Sequence, residues 1–490
     1  MAKNKKLIRR GKAHLIGICG AGMSALAVLL KEAGWEISGS DNNFYEPVYE
    51  YLRKNKISFY KKYSKKNIPK GASLIVIGKH ALLTAENNEE VRQAFILQER
   101  DGKQSARRQI KSLPETLAEL SADKKNIVVA GSYGKSTCAA LIAWCLLQAK
   151  KDPSYFIGAV PINFNRSSHL GNGPEFVLEG DEYPSSNWDS SSKFLHFNPS
   201  SVLLISVEHD HLNVFPTKKS YQEPYKKLVA KIPKEGFLFL AKEAESNREI
   251  IKYAKCKTVS YALRDEKTDK KKVDWCAKNI RYGQQTSFDL MRQGKKIINL
   301  KTRLLGNHNI ENIIGSGALL LEQQLVEPKD FAKAVASFQG IKRRIELKTK
   351  HSGVPVYEGF GSSYEKTKVI FDALALHFPK KRIIAVFEPH TFSWRNRGAL
   401  NWYKNIFDGV SEVILLPPPM HGQKTHDQLT FDEIFKAIKN QVAVQKAETE
   451  EEALKIIKKT TKKNDLIVLV SSGSLLGLSE SVPRLIKRLF

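Results

Sequence analysis

The stretch that decides the fold is Asn126-Ile-Val-Val-Ala130, followed by Gly131-Ser-Tyr-Gly134-Lys135-Ser136-Thr137. An apolar run to about Gln148 comes next, so the order is a short aliphatic strand, a glycine loop and a helix. The two glycines let the backbone curl so that its N–H groups face phosphate oxygens, while Lys135 adds a positive charge and the Ser136 hydroxyl can ligate Mg²⁺. The stretch therefore predicts a nucleoside triphosphate site.

The spacing of this loop is shorter than usual. The common phosphate loop is G-x-x-x-x-G-K-[ST], and the position of its first glycine is Val129 in this chain. The alternative interpretation is a glycine-rich turn that caps a core helix. Because strand, loop, Lys-Ser pair and apolar helix occur in order, we favour the nucleotide site.

The composition indicates a large globular protein with an excess of positive charge. The 490 residues predict two to four domains. The 79 basic against 51 acidic residues give a net charge of +28, which raises nucleic-acid binding as a hypothesis. The lysines lie in many short runs without the interleaved aromatic residues of a stacking platform. We interpret them as solvated surface that attracts anionic small-molecule substrates, and we expect no nucleic-acid partner.

The cysteines and the hydropathy pattern bear on the compartment. None of the five cysteines forms a C-x-x-C pair, and an odd number indicates reduced thiols. No apolar run approaches the ~20 residues of a membrane span, and no signal-like apolar stretch follows the basic N-terminus. We therefore expect a soluble cytoplasmic protein without membrane insertion, either monomer or dimer.

The first third predicts a doubly wound α/β domain. A strand at Ala13–Ile18 runs into a glycine turn and an apolar helix, and a second strand at Trp35–Ser38 runs into Gly39-Ser40-Asp41. Such a turn admits a pyrophosphate, and the acid after the second strand is placed for a ribose or base. The pattern G-x-x-G-x-G is weak by itself. A nicotinamide-dependent dehydrogenase and a tight turn without ligand are the alternatives.

Acidic residues and histidines follow two later strands. Pro174–Glu182 reads as a strand ending in clustered carboxylates, and Ser201–Val207 is followed by Glu208-His209-Asp210-His211. An acid at the end of a strand neighbouring a phosphate loop is placed to hold Mg²⁺. The second cluster suggests another metal position or an oriented base. The alternatives are an acidic turn and inert surface histidines.

From about Ile341 the α/β pattern starts again. Val354–Tyr357, Arg382–Phe387 and Asp465–Val470 are predicted strands, Lys366–Phe378 is a predicted helix, and Trp402–Phe407 is placed in another. We predict three α/β domains at residues 1–112, 113–340 and 341–490. The first is Rossmann-like, the central one resembles a P-loop ATPase, and the last is a smaller Rossmann-like domain.

The ordered set of motifs resembles the Mur ligase family, the ATP-dependent amide-forming enzymes of peptidoglycan assembly. The similarity spans nearly the whole chain. It is carried by His14–Met23, Gly39–Asp41, Gly131–Thr137, Glu179–Glu182, Glu208–His211, Gly306–Asn309 and Arg343–Glu346.

The resemblance implies a ligand for each domain. It implies UDP-N-acetylmuramate rather than a nicotinamide in the first domain, and ATP with Mg²⁺ in the central domain. The implied UDP-sugar residues are Gly20, Ala21, Gly22, Met23, Ser24 and Asp41. The implied ATP residues are Gly131, Ser132, Tyr133, Gly134, Lys135, Ser136 and Thr137, with His308 and Asn309 near adenine and Arg344 reaching from the third domain. The implied metal ligands are Ser136, Glu179 and His211, and the implied catalytic residues are Lys135, Glu179 and His211.

The implied reaction joins the carboxylate of UDP-N-acetylmuramate to the amine of L-Ala-γ-D-Glu-meso-diaminopimelate through an acyl phosphate. L-Alanine is the alternative amine. The third domain departs from the family pattern, because Gly359 replaces the second of two acids and Ser362 and Ser363 replace two histidines. These departures leave a catalytically impaired nucleotide-binding paralogue with a regulatory role as a further alternative. A dehydrogenase would leave the phosphate loop unexplained.

Overall fold

The computed structural model describes residues 11–44, 46, 48–101, 108–209, 214–242, 244–263, 273–349, 352–419 and 427–490. The chain divides into two compact units. The first contains the described residues up to Lys278, with Leu290–Ile298 and Glu311–Val335; the second contains Asn279–Asp289, Asn299–Ile310 and Ala336–Phe490. Within the described ranges, no helix has the length and apolar character needed to cross a membrane.

A parallel five-stranded sheet in the order β3-β2-β1-β4-β5 forms the beginning of the first unit. The chain moves outward from β1 on one side and resumes at β4 on the other, and in such sheets ligands bind where the strand order reverses. This topology confirms the predicted doubly wound α/β domain. Its elements are β1 (Lys12–Ile16), α1 (Ala21–Glu32), β2 (Glu36–Ser40), α2 (Val48–Lys54), β3 (Ser58–Tyr60), β4 (Ala72–Ile77), α3 (Glu89–Arg100), β5 (Gln109–Lys111) and α4 (Leu113–Leu120).

The strand ends in this sheet differ from the prediction by about two residues. Strand β1 stops at Ile16, because Gly17 turns the backbone to a φ of +83°. Strand β2 extends to Ser40, since Gly39 and Ser40 pair with β1 in register. Asp41 therefore follows the strand directly, beside the end of β1.

The central sheet has the order β12-β11-β10-β6-β9-β7-β8 over its first seven strands. Strand β6 lies between β9 and β10 and is parallel to both, so the loops after these three strands meet at one edge of the sheet. The elements are β6 (Lys125–Ala130), α5 (Lys135–Gln148), β7 (Ser154–Phe156), β8 (Ser168–His169), β9 (Glu175–Glu179), β10 (Pro199–Leu204), α6 (Lys218–Ala230), β11 (Phe237–Ala241), α7 (Glu245–Ile250) and β12 (Lys257–Tyr261).

Three further strands and two helices complete this part of the chain. Strand β13 pairs with β12 at Tyr261 and Trp275. The boundaries between the two units fall within these strands and helices. The elements are β13 (Trp275–Arg281), β14 (Thr286–Arg292), β15 (Lys295–Thr302), α8 (Asn307–Glu322) and α9 (Pro328–Ser337).

The second unit contains a six-stranded sheet in the order β16-β17-β21-β18-β19-β20. Only its edge pair β16–β17 is antiparallel, and apolar residues of β17, β18 and β21 are buried on both faces, as expected for a parallel sheet covered by helices. The elements are β16 (Arg344–Leu347), β17 (Val356–Gly359), α10 (Tyr364–His377), β18 (Ile383–Phe387), α11 (Phe392–Arg395), β19 (Glu412–Leu415), α12 (Phe431–Lys439), β20 (Ala443–Lys446), α13 (Glu450–Thr460), β21 (Leu466–Val470) and α14 (Leu478–Leu489).

The predicted helix at Trp402–Phe407 is only partly present. The structure has a 3-10 helix at Arg397–Lys404 instead. The Tyr403 hydroxyl donates to the carbonyl of Trp394 at 2.6 Å, and the Trp394 and Tyr403 rings pack together. Aromatic packing rather than helical periodicity thus determines this segment.

Candidate active site

The phosphate loop between β6 and α5 requires both of its glycines. Gly131 and Gly134 have φ angles of +132° and +92°, a region that other residues adopt only with strain. A Cβ atom at Gly134 would lie 2.6 Å from Oδ1 of Asn312, and one at Gly131 would lie 3.0 Å from the carbonyl oxygen of Ser206. The loop therefore curls tightly over the end of the sheet, and α5 starts directly after it at Lys135.

Lys135 points back across this loop. Its Nζ donates to the carbonyl oxygen of Gly131 at 2.6 Å and to Oε2 of Glu182 at 2.9 Å. The side chain of Lys135 is 14% exposed and that of Glu182 is 2% exposed. The ammonium group is thus held over the loop, where the predicted phosphates would lie.

Ser136 and Glu179 come together as the sequence predicts. The Ser136 hydroxyl donates to Oε1 of Glu179 at 2.9 Å, and the Gly158 N–H donates to Oε2 at 2.6 Å. Glu179 reaches Ser136 because β9 is the parallel neighbour of β6, with Glu179 beside Val129. A hydroxyl and a carboxylate oxygen at a phosphate loop fit Mg²⁺, which is usually held by one or two protein oxygens with water and substrate phosphate.

The other side of the loop is joined to β10 and α6. The Ser132 hydroxyl donates to the carbonyl of Glu208 at 2.6 Å and lies 2.9 Å from the hydroxyl of Tyr221. His211 lies outside the described residues, so its predicted metal role stays a prediction. Among the residues that the structure covers, there is no group of three or more His, Cys, Asp or Glu side chains suited to a metal ion.

The remaining two loop residues differ in burial. Thr137 is buried in the first turn of α5, whereas Tyr133 at the tip of the loop is half-buried. Backbone N–H groups in the first turn of a helix have no acceptor within the helix and attract anions. We therefore expect Thr137 to act through its backbone, while the Tyr133 side chain lies at the mouth of the site.

In the first sheet, the predicted UDP-sugar residues line the start of α1. Met23 and Ser24 are 5% and 3% exposed, and a Cβ atom at Gly22 would lie 2.9 Å from the Leu113 side chain. Gly20 and Ala21 are exposed at the turn itself. This segment therefore presents mainly backbone to a ligand, which suits a pyrophosphate at a helix N-terminus.

The carboxylate of Asp41 braces the same turn. Its Oδ2 accepts from the N–H of Cys19 at 2.9 Å, and its Oδ1 accepts from the N–H of Asn42 and from the Tyr63 hydroxyl at 2.8 and 3.1 Å. Burial and the neighbouring Asp41 raise the pKa of the Cys19 thiol to about 12. Asp41 thus fixes the glycine turn at the position predicted for a ribose contact.

A buried polar network below this turn was not predicted. Glu90 is fully buried, with Oε1 2.6 Å from Nε2 of His14 and 2.7 Å from the Ser40 hydroxyl. Its Oε2 accepts from the N–H of Ser64 at 2.8 Å and the side-chain amide of Asn67 at 2.9 Å. The 76-residue separation of His14 and Glu90 left no local signal in the sequence.

The predicted adenine residues lie in the second unit. Asn309 is 7% exposed, and its side-chain amide donates to the carbonyl of Leu305 at 2.8 Å. Burial, with the nearby His377 and Arg344, lowers the pKa of His308 to about 4. The His308 ring is therefore neutral near pH 7, as a ring that stacks on or hydrogen-bonds to a base would be.

Arg344 and its neighbour have different surroundings in the second unit. Arg344 is exposed on β16, which leaves its predicted nucleotide contact a prediction. Arg343 instead donates to Oε1 of the buried Glu358 at 2.9 Å and to the carbonyl of Gly473 at 2.7 Å. Glu358, which stands at the position of the first of the two family acids, is thus paired with Arg343. The sequence did not indicate this pair.

The structure also places the residues that depart from the family pattern. A Cβ atom at Gly359 would lie 2.6 Å from Cδ1 of Ile370. Ser363 begins α10 by accepting from the N–H of Lys366, and the carbonyl of Ser362 accepts from the Thr391 hydroxyl at 2.8 Å. Gly359 and Ser363 therefore have structural roles in this chain, whereas the contact of Ser362 uses a backbone carbonyl that any residue supplies.

Family comparisons agree with this arrangement. Residues 12–125 match the model described as Mur ligase family, catalytic domain, and residues 129–320 match the Mur ligase middle domain. In the solved structures, the murein peptide ligase of Psychrobacter arcticus aligns with 97% of this chain and 98% of its own, with a TM-score of 0.66 at 24% identity.

Two curated relatives cover most of the chain. The UDP-N-acetylmuramate–L-alanyl-γ-D-glutamyl-meso-2,6-diaminoheptandioate ligase of Escherichia coli is 30% identical over 412 residues, which are 83% of this chain and 85% of that protein. The UDP-N-acetylmuramate–L-alanine ligase of Clostridium kluyveri is 30% identical over 411 residues, 83% of each. This chain therefore belongs to the Mur ligase family, whose members are ATP-dependent ligases that form amide bonds.

Proposed function

We propose that this enzyme joins the lactyl carboxylate of UDP-N-acetylmuramate to the amine of L-Ala-γ-D-Glu-meso-diaminopimelate, with ATP and Mg²⁺, in cell-wall recycling. The observation that carries the proposal lies at one edge of the central sheet, where α5 begins at Lys135 directly after the glycine loop and the Ser136 hydroxyl donates to Glu179. The similarity to the Escherichia coli ligase supports the choice of amine.

In this proposal the chain's residues act mainly by charge and position. The substrate carboxylate attacks the γ-phosphate of ATP, the bond between the β- and γ-phosphates breaks, and acyl phosphate and ADP form. Lys135 with the loop N–H groups offsets the repulsion between the two anions. Ser136, Glu179 and the predicted His211 hold Mg²⁺, which neutralises further charge when bound. The peptide amine then attacks the acyl phosphate, and the tetrahedral intermediate collapses to amide and phosphate.

The first domain binds the UDP-sugar in this scheme. The glycine turn and the start of α1 take the pyrophosphate, and Asp41 takes the ribose or base while it also holds the turn. The ATP nucleotide is contacted by His308, Asn309 and Arg344. We propose domain boundaries at residues 1–112, 113–340 and 341–490. Because ATP and a nucleotide-activated sugar are the substrates, we also propose a cytoplasmic location.

L-Alanine is the second candidate amine. The relative that uses L-alanine by name is as similar to this chain, at 30% identity, as the tripeptide ligase. The contacts that distinguish the two amines belong to the third domain, where Gly359, Ser362 and Ser363 depart from the family pattern.

The test is phosphate release from ATP with UDP-N-acetylmuramate and Mg²⁺, with the tripeptide and L-alanine in separate reactions. We expect release with the tripeptide, and we expect Lys135→Ala to lose nearly all of it because a phosphate loop without its lysine leaves the transferring charge unbalanced. Release with L-alanine alone would identify the other ligase. Binding of both nucleotides without release would favour the impaired paralogue.

A further inference from the structure

Glu182 is a buried acid that the scheme above does not use. It lies three residues after Glu179, and its side chain is 2% exposed. Its Oε2 accepts from Nζ of Lys135 at 2.9 Å. Glu179 contacts Ser136 and the N–H of Gly158, and Asp181 between them pairs with Lys193, so Glu179 and Glu182 have different partners at the phosphate loop.

The surroundings of Glu182 keep its charge close to the loop. Burial and then the charge of Glu182 raise the pKa of the Tyr225 hydroxyl in helix α6. Tyr225 donates to the Tyr221 hydroxyl at 3.1 Å, and that hydroxyl lies 2.9 Å from Ser132. Acid and hydroxyls thus enclose the loop from the side of α6, where little solvent can screen the charge.

Glu182 and a bound phosphate would both contact the ammonium group of Lys135. Lys135 already contacts Glu182 and the Gly131 carbonyl, and these contacts fix the direction of its side chain. A carboxylate in such a place repels phosphate, and repulsion between like charges is strong where water is excluded. The same carboxylate holds the lysine in one rotamer before the nucleotide binds, so the side chain is already oriented for the reaction.

We propose that Glu182 is a positioning residue for Lys135: it orients the ammonium group over the phosphate loop for transfer, while its negative charge weakens nucleotide binding. The inference rests on the proposed ATP site. Under this proposal, loss of the Glu182 charge strengthens nucleotide binding and slows turnover. A purely structural role of Glu182 would instead weaken binding and slow turnover together.

The experiment compares Glu182→Gln with the wild type in ADP affinity, measured by calorimetry without Mg²⁺, and in phosphate release. Glutamine keeps the shape and removes the charge. We expect ADP to bind about threefold to tenfold more tightly and kcat to fall about tenfold or more, since the lysine loses its orientation. Unchanged or weaker ADP binding by folded Glu182→Gln would overturn the proposal.

Two variants control for folding and for charge. Glu175 is 4% exposed at the opposite end of the same strand, so Glu175→Gln measures the effect of losing a buried glutamate away from the loop; we expect its ADP affinity to equal that of the wild type. Glu182→Asp keeps the charge but shortens the side chain, and we expect slower turnover without tighter ADP binding. An equal gain in ADP affinity in Glu175→Gln or Glu182→Asp would contradict the proposed role of the Glu182 charge.

The result also separates this inference from the proposed function. A wild type that binds ADP but releases no phosphate with either amine would contradict the proposed ligase, and tighter ADP binding by Glu182→Gln would still support the charge effect on the loop. A wild type that binds no ADP would contradict both.

Discussion

Gly359 lacks the acidic side chain of the family pattern, and the side chain of Ile370 fills the space. The strand β17 places this residue against Ile370 of α10, and a Cβ atom would lie 2.6 Å from Cδ1 of that isoleucine. The space that an acidic side chain would need is therefore filled by an apolar one. Restoring the acid alone forces a charge into a packed apolar contact.

We expect Gly359→Asp to lower the free energy of unfolding by about 2 kcal/mol or more, from overpacking and a poorly solvated carboxylate. Urea unfolding measures this change. Gly359→Asp combined with Ile370→Ala should be more stable than the two separate losses imply, because the second change makes the space. Strict additivity would show that Ile370 is not the obstacle.

A second residue-scale prediction concerns Glu90, whose four partners are all neutral or positive donors at the base of the first sheet. Glutamine in its place would direct an NH₂ group at one or more of these donors. We expect Glu90→Gln to reduce the free energy of unfolding by about 2–4 kcal/mol, measured by urea unfolding. Glu89→Gln is the matched control, since Glu89 is exposed next to it in α3 and should change stability by less than about 0.5 kcal/mol.

At the scale of elements, the hairpin β7–β8 connects the first sheet's helix α1 to the phosphate loop. The Ser168 hydroxyl donates to the carbonyl of Ala25 in α1 at 2.9 Å, and the N–H of Leu170 donates to Oε2 of Glu32 at 2.9 Å. The other strand of the hairpin continues to Gly158, whose N–H donates to Glu179. The hairpin is thus hydrogen-bonded through one strand to α1 and through the other to a predicted metal ligand.

Glu32 joins this hairpin through charges that depend on pH. The Glu32 carboxylate, whose Oε2 lies 3.5 Å from Nδ1 of His169, and then Asp152 raise the pKa of His169 above its ordinary 6.5. Although burial opposes it, the nearby His169 and the hydrogen bond from Arg166 lower the pKa of Glu32 below its ordinary 4.5. A raised histidine pKa stabilises the fold below 6.5 and loses that effect as pH rises, whereas a lowered carboxyl pKa stabilises it above 4.5.

The stabilising contributions of His169 and Glu32 are therefore both present between about pH 4.5 and 6.5. We expect Glu32→Gln to reduce the free energy of unfolding by about 1 kcal/mol near pH 5.5 and by less near pH 8.5, where the Arg166 pair and the Leu170 hydrogen bond remain. Urea unfolding at the two pH values checks this. Glu36→Gln, which removes an exposed acid paired with Lys12, should have the same small effect at both.

At the scale of the whole molecule, the sequence predicts what is local and misses what is distant. The strand, loop and helix around Lys135 follow from neighbouring residues: β6 and the end of α5 are predicted within about one residue, whereas α5 begins at Lys135, inside the predicted loop. The pairing of Ser136 with Glu179 also follows, because parallel strand ends share an edge. The Lys135–Glu182, His14–Glu90 and Arg343–Glu358 pairs depend on side-chain directions that no periodicity encodes.

The net charge of +28 leads to the last prediction, since both proposed nucleotide substrates are anions. A positive field raises their encounter rate at low salt, and ions screen it over about 10 Å at 0.1 M and about 3 Å at 1 M. We expect kcat/KM for ATP to fall several-fold from about 50 mM to about 500 mM NaCl, while kcat changes little because the lysine–phosphate contacts are local. Steady-state phosphate release at saturating UDP-N-acetylmuramate measures both constants. A kcat/KM independent of salt, together with salt-sensitive binding of duplex DNA that ATP does not displace, would instead assign the charge to a nucleic-acid surface.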